Sequence, residues 1–145
     1  MFAASAWLRR ARPPRLYVPI GMAVKVVDAS ALAALLFGEP EGEAVSGRLG
    51  HARLVAPNLI AFELANVCLI KIRRHPAQGP ALMAAFAFRH RLVLEEVAVD
   101  HDAALDLAMR IGLTACDASY LWLARQLGAE LVTLDRQLER AAAVA

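Results

Sequence analysis

The sequence predicts an α/β fold, a three-layer α/β/α sandwich around a central, mostly parallel sheet of four to five strands. Short apolar runs alternate along the chain with longer segments of helical composition. This alternation is typical of parallel sheets that are covered by helices on both faces. The length of 145 residues, 59% of them hydrophobic, is that of one domain with a single core.

Four segments have the composition of buried strands. Each is short and rich in Val or Leu, and each is bounded by residues that favour turns or helices. They are the runs VKVVD, RLVAP, LVLEEVAV and ELVTLD, which begin at residues 24, 53, 92 and 130. No internal repeat accompanies them, so they favour one sheet in one domain.

The segments between these strands are predicted to be helices. Helix breakers such as Pro76 and Gly112 mark their ends. Asn58 is predicted to N-cap the longest helix, and Thr114 is predicted to N-cap a later one. The predicted helices cover residues 29–37, 41–49, 59–75, 80–89, 101–111, 115–127 and 136–143.

Residues 1–21 differ in composition from the rest of the chain. The stretch before residue 24 contains four arginines and no acid, whereas residues 24–145 contain 12 basic and 14 acidic residues. The net charge of +2 therefore arises from the tail, and it gives no reason to expect nucleic-acid binding by the domain. We predict that residues 1–21 form a flexible basic extension, or that translation starts at Met22, and that residues 22–145 form one domain.

The sequence favours a cytoplasmic protein that does not enter a membrane. Its apolar stretches are too short for a transmembrane helix, since charged residues and prolines interrupt them. Cys68 and Cys116 lack the spacing of metal ligands, and we expect both to be buried, reduced thiols. Reduced thiols are typical of the cytosol.

Two aspartates follow predicted strands directly. Asp28 ends the run VKVVD and Asp135 ends the run ELVTLD, and each of them precedes a predicted helix. Aspartate is a preferred N-cap, so a capping role would account for either residue alone. The carboxyl ends of parallel strands are also where open sheets bind ligands, which makes both residues candidate site residues.

Two further acids lie on predicted helices that are rich in apolar residues. Glu63 and Asn66 are spaced to share the apolar stripe of the helix at 59–75, which directs a carboxylate towards the core unless the stripe has a solvated gap there. Asp117 lies three residues after Thr114, as in a weak form of the capping box. This placement also directs its carboxylate outwards at the end of the sheet.

A cluster of these four acids would need a counter-charge. Two carboxylates about 4 Å apart repel each other by roughly 4 kcal/mol at an intermediate dielectric constant. Protons or a divalent cation would relieve this repulsion. Oxygen ligands without His or Cys favour a hard ion, Mg²⁺ or Mn²⁺, over Zn²⁺.

The segments VVDASAL, PNLIAFELAN, TACDASYLWLA and LVTLDRQL together resemble the PIN domain. They look most like the VapC ribonuclease toxins of bacterial and archaeal toxin–antitoxin pairs. The similarity covers about residues 24–142, and it depends on the order and spacing of four segments that each carry one of the acids.

This resemblance implies a function and a set of site residues. It implies an endoribonuclease that uses one or two Mg²⁺ ions, which Mn²⁺ can replace, to activate a water that attacks an RNA phosphodiester. It also implies a homodimer and a small VapB-type antitoxin that blocks the site. The catalytic and metal-binding positions are Asp28, Glu63, Asp117 and Asp135. Supporting roles fall to Ser30, Asn66, Thr114 and Thr133.

Two other functions are compatible with the same residues. A metal-dependent nuclease acting on DNA would carry the same acids, because a carboxylate cluster does not distinguish the sugars. A catalytically silent PIN-like module would bind a partner without metal. A phosphorelay receiver domain is disfavoured, since it needs a lysine near the end of the last strand and none is present there.

Basic residues form two groups outside the acidic positions. They either are solvated and complement helix dipoles, or form a rim that contacts phosphates. The groups are Lys71, Arg73, Arg74 and His75, and Arg89, His90 and Arg91.

Overall fold

The computed structural model describes residues 22–144, which form four strands and seven α-helices. Short 3₁₀ turns lie on either side of the fourth helix. In chain order the elements are β1 (Val24–Val27), α1 (Ala29–Leu36), α2 (Gly42–Leu49), β2 (Arg53–Pro57), α3 (Ile60–Arg74), α4 (Gly79–Ala87), β3 (Leu94–Val97), α5 (His101–Ile111), α6 (Ala115–Leu127), β4 (Glu130–Val132) and α7 (Arg136–Ala143).

The strands form one sheet in the order β3-β2-β1-β4, and every neighbouring pair is parallel. Val26 of β1 pairs with Val55 of β2 on one side and with Leu131 of β4 on the other. All three side chains are buried, as expected for a sheet that is covered on both faces. The predicted parallel sheet is thereby confirmed, with four strands in the described part of the chain.

Helices cover the two faces of the sheet. The chain runs from β1 to β2 to β3 in one direction and then returns across the sheet to β4. Because such crossovers are right-handed, α1–α4 lie on one face and α5 and α6 lie on the other. The contacts agree: α3 packs on α1 and α4, whereas α6 packs on α5 and α7. The predicted three-layer sandwich is confirmed.

The order of the strands determines where a site can form. The chain leaves β1 towards β2, while β4 on the other side of β1 is reached from the opposite layer. The carboxyl ends of β1 and β4 therefore form a topological switch point, where open α/β sheets bind their ligands. Asp28 directly follows β1, and Thr133 and Asp135 follow β4.

Two expectations for α3 are wrong. The helix begins at Ile60, and its cap residue is Leu59 without a side-chain hydrogen bond, so Asn58 is not the N-cap. The backbone N–H of Asn58 instead donates to the carbonyl of Val97. Asn66 is exposed rather than directed at the core.

The core face of α3 consists of Ile60, Leu64 and Cys68, which repeat every four residues. Other apolar residues of this helix face solvent, and Phe62 is 80% exposed. An apolar stripe that includes Asn66 can be drawn because α3 is apolar on more than one side. Periodicity alone therefore does not identify the buried face.

The two cysteines differ in burial, and only one of them agrees with the prediction. Both cysteines are free thiols, but Cys116 is exposed in the first turn of α6, so only Cys68 is buried as predicted. Across residues 22–144, none of the helices combines the length and the apolarity that a membrane crossing requires. The prediction for residues 1–21 lies outside the described residues.

We predict that Gly42→Ala lowers the free energy of unfolding by about 1–3 kcal/mol. Gly42 begins α2 against α1, and a Cβ there would lie 2.6 Å from the carbonyl oxygen of Ala34. The matched control is Gly47→Ala in the same helix, where a Cβ would meet nothing within 4 Å. This control should raise the free energy of unfolding by about 0.5–1 kcal/mol. Urea denaturation measures both, and equal effects would contradict the predicted clash.

Candidate active site

Asp28 is the most buried of the four predicted acids, with 5% of its surface exposed. Its Oδ1 accepts hydrogen bonds from the Ser30 hydroxyl at 2.7 Å and from the backbone N–H of Ala31 at 3.1 Å. Its Oδ2 accepts one from the Thr133 hydroxyl at 2.7 Å. The residue also N-caps α1. Three uncharged donors thus fix both oxygens of this carboxylate.

The two hydroxyls that hold Asp28 also bind the turn after β4. The Ser30 Oγ accepts a hydrogen bond from the backbone N–H of Leu134 at 2.9 Å, and the Thr133 Oγ1 accepts one from that of Asp135 at 3.0 Å. The two hydroxyl oxygens lie 3.4 Å apart. Ser30 and Thr133 therefore join the end of β1 to the turn that carries Asp135.

Asp135 is the N-cap of α7. Its Oδ1 accepts hydrogen bonds from the backbone N–H groups of Gln137 at 2.9 Å and Leu138 at 3.0 Å. Its Oδ2 has no hydrogen-bond partner within residues 22–144. A capping role accounts for one oxygen of Asp135, and the other oxygen is available to a ligand.

Glu63 is half-buried on α3 and is bound by a tyrosine of α6. The Tyr120 hydroxyl donates a hydrogen bond of 2.7 Å to the Oε1 of Glu63. Tyr120 is 1% exposed, and its hydroxyl has this carboxylate as its partner. Sequence reasoning did not identify Tyr120. A tyrosine in the buried part of a helix, one turn after Asp117, indicates a hydroxyl that needs a partner.

Asp117 lies in the first turn of α6, as predicted. The Oγ1 of Thr114 accepts a hydrogen bond from the backbone N–H of Asp117 at 3.1 Å, so Thr114 caps this helix. The carboxylate of Asp117 is half-buried. Asn66 is exposed on α3 and, within residues 22–144, has no side-chain hydrogen bond to these residues.

Burial and neighbouring negative charges act on Asp28 and Glu63. Burial raises the pKa of Asp28 above its usual value, and the negative charge of Asp135 raises it further, while the three hydrogen bonds oppose this. Burial also raises the pKa of Glu63, with further increases from the charges of Asp117 and Asp28. The hydrogen bond from Tyr120 opposes the shift of Glu63. The four carboxylates thus form one electrostatically coupled set.

No basic side chain within residues 22–144 forms an ion pair with any of these four acids. Their donor atoms are all carboxylate oxygens, the ligand type that Mg²⁺ and Mn²⁺ prefer. No three His, Cys, Asp or Glu side chains of that part of the chain lie close enough together to hold one ion. The donor chemistry and the uncompensated charge fit a hard cation, and shared ligation stays a prediction.

Comparison with known proteins assigns the fold to a family. The sequence profile of the PIN domain matches residues 25–144. The chain is 36% identical over 118 residues to Ribonuclease VapC3 from Pyrobaculum aerophilum, a match that covers 78% of this chain and 90% of that protein.

The solved structures that are similar to this one include the following two. The crystal structure of PAE2754 from Pyrobaculum aerophilum matches with a TM-score of 0.69 and 26% identity, over 85% of this chain and 87% of that one. VapC20 from Mycobacterium tuberculosis, a sarcin-ricin loop cleaving toxin, matches with a TM-score of 0.59 and 21% identity, over 81% and 94% of the two chains. The second match supports the fold alone.

The profile match and the identity to VapC3 confirm the resemblance on which the sequence interpretation depends. The chain belongs to the PIN domain family, among relatives of the VapC ribonucleases.

Proposed function

We propose that this protein is a Mg²⁺-dependent endoribonuclease and the toxin of a VapBC-type toxin–antitoxin pair. The observation that carries the proposal is the coupled set of four carboxylates at the switch point, which has no cationic partner within residues 22–144. RNA as the substrate is supported by the similarity to VapC3, which is named a ribonuclease.

Asp28 and Asp117 would bind one or two Mg²⁺ ions, or Mn²⁺ in their place, and Asp135 and Glu63 would contribute directly or through water. When bound, the ion supplies a water of lowered pKa and stabilises negative charge on the leaving oxygen. All other contributions come from side chains of the chain itself.

Glu63 is the candidate general base. Tyr120 occupies its Oε1, while its Oε2 has no hydrogen-bond partner within residues 22–144. A carboxylate whose pKa is raised accepts a proton more readily at neutral pH. In this proposal the Oε2 of Glu63 orients the attacking water and accepts its proton. Tyr120 holds the carboxylate in the orientation that this requires.

Asp28 keeps its position through uncharged donors. Ser30, Thr133 and the backbone of Ala31 fix its oxygens without neutralising its charge. A lysine or arginine in their place would fix the carboxylate equally well but would weaken its attraction for a cation. The hydroxyl donors therefore preserve the negative charge that the proposed chemistry uses.

The proposed partners follow from the same site. A basic side chain of a VapB-type antitoxin would bind the uncompensated acids and block them, and two copies of the chain would form a homodimer in the cytoplasm. Cleavage of DNA as efficiently as RNA would favour a DNA nuclease instead. Absence of both activities in a folded protein would favour a catalytically silent binding module.

We predict that Asp28→Asn and Asp117→Asn each slow RNA cleavage at least roughly 10²-fold, because each removes charge from the coupled set. An asparagine at position 28 can still cap α1, so the fold is retained. Asp102→Asn is the matched control, since Asp102 is exposed in the first turn of α5. Cleavage of a single-stranded RNA is followed on gels with Mg²⁺ present. Cleavage at the wild-type rate by either site variant would refute the proposal.

We also predict that Mn²⁺ binds the wild-type protein and binds Asp28→Asn at least about tenfold more weakly, because a carboxylate ligand is lost. Titration calorimetry in metal-free buffer measures both affinities, and Asp102→Asn should match the wild type. Chelation with EDTA should abolish RNA cleavage, and excess Mg²⁺ should restore it. A folded wild-type protein that binds no Mn²⁺ at millimolar concentrations would contradict the metal dependence.

The metal-free protein should lose stability as the pH rises from the ordinary carboxyl range towards neutrality. The pKa values of Asp28 and Glu63 are raised in the folded state, so between the ordinary and raised values the folded protein binds more protons than the unfolded chain. Asp28→Asn should reduce this loss and raise the melting temperature of the metal-free protein at neutral pH. Thermal denaturation across the acidic to neutral range tests this, and a profile unchanged by the substitution would contradict it.

A further inference from the structure

A cleft of about 270 Å³ lies between the start of α3 and strand β3, outside the set of four acids. Apolar side chains that include Ile60, Leu64 and Leu94 line it. Its polar lining comes from Arg89, His90 and Glu96. This volume is slightly below the roughly 300–1,000 Å³ of pockets that hold drug-sized ligands, so the cleft suits a single planar ring system.

Glu96 gives the cleft an unpaired acceptor. Alternation along β3 directs Leu94 and Glu96 to one face of the sheet and Glu95 to the other, where Glu95 pairs with Arg53. The carboxylate of Glu96 has neither a hydrogen bond nor an ion pair within residues 22–144. A carboxylate in this position can accept hydrogen bonds from N–H groups of a ligand that enters the cleft.

Arg89 gives the cleft a fixed planar donor. Its guanidinium carbon lies 3.8 Å from the centre of the Phe86 ring, and its Nη1 donates a hydrogen bond of 3.1 Å to the carbonyl of Phe86. The guanidinium carbon of Arg91 lies 5.6 Å from the centre of the Phe88 ring. Arginines stacked on aromatic rings, next to an exposed His90, resemble the groups that proteins use to bind single-stranded RNA.

Among the nucleobases, guanine matches this lining most completely. Its Watson–Crick edge presents two adjacent N–H donors, at N1 and N2, which one carboxylate can accept together. Its O6 is an acceptor for a guanidinium group. Its flat faces suit the apolar walls. Uracil, cytosine and adenine do not combine paired donors with an adjacent acceptor in this way.

The cleft and Glu63 share the first two turns of α3. Ile60 and Leu64 lie three residues before and one residue after Glu63 on α3, so the cleft and the carboxylate of Glu63 flank the same turns of one helix. The width of a helix with its side chains is about 10–12 Å. A strand that crosses the start of α3 could place a base in the cleft and a nearby phosphate at the acids.

We propose that this cleft binds one unpaired guanine of the RNA, with Glu96 accepting from its N1–H and N2–H groups, and so determines which phosphate reaches the four carboxylates. The inference rests on the proposed ribonuclease function in one respect, the selection of the phosphate that is cleaved at the four carboxylates. The binding step itself can be tested without cleavage.

The test is a double-mutant cycle between the protein and the base. The protein is full-length Asp28→Asn, in which we expect slow cleavage, with and without Glu96→Gln. The probes are a fluorescent oligouridine with one central guanosine and the same oligonucleotide with inosine, which lacks only the N2 amino group. Fluorescence anisotropy measures the four dissociation constants. Glu95→Gln is the matched control, because it removes the same charge from the opposite face of β3.

Replacing guanosine by inosine should weaken binding about tenfold when Glu96 is present, because a paired carboxylate contact is lost. With Glu96→Gln, the same replacement should change the dissociation constant less than about twofold. With Glu95→Gln, it should weaken binding by about tenfold, as it does when both glutamates are present. A general electrostatic effect predicts a different pattern, since removing a negative charge strengthens RNA binding regardless of the base. An inosine effect of the same size with and without Glu96→Gln would overturn the proposal.

Two other outcomes are also decisive. Absence of binding by the guanosine probe, with circular dichroism showing a folded protein, would overturn the inference. The cycle can show the expected coupling while the wild-type protein cleaves no RNA with Mg²⁺ present. That result would support the guanine site and refute the proposed ribonuclease function. The two failures are therefore distinguishable.

Discussion

The site depends on the crowding of like charges at the end of the sheet. Asp28 is buried beside Asp135, and Glu63 is coupled to both Asp28 and Asp117, so each charge raises the free energy of another. The fold tolerates this because uncharged donors, chiefly Thr133 and Tyr120, stabilise the carboxylates without cancelling their charge. Repulsion among these carboxylates lowers the stability of the fold, and the same charges attract a cation. Groups with shifted pKa values of this kind are common at functional sites.

The fold was largely predictable because buried parallel strands produce short apolar runs that helical segments separate. The strand ends were less predictable. The run ELVTLD was expected to extend to Asp135, but β4 ends at Val132. The Thr133 hydroxyl donates to Asp28 across the sheet, and Asp135 caps α7, so one tertiary hydrogen bond and a local helix cap end this strand rather than composition.

The acids of the proposed site could be selected from the sequence because strand ends and first helical turns direct side chains to one edge of a parallel sheet. Contacts between distant helices could not be predicted in this way. Tyr120 binds Glu63 across 57 positions of sequence, and no local pattern encodes that pairing. The prediction that Asn66 faces the core was wrong because α3 also carries apolar residues that face solvent, such as Phe62 and Ile70.

The four-stranded sheet has β3 and β4 at its borders, where the outer backbone groups have no strand partner within residues 22–144, and both strands carry charge. On β3 these residues are Glu95 and Glu96, and on the three-residue β4 Glu130 is held by Lys25 and Arg48. Short, charged border strands resist the addition of a further strand from another molecule. Within residues 22–144, the two border strands therefore disfavour extension into a continuous intermolecular sheet, which favours the helical layers as the surface for any self-association.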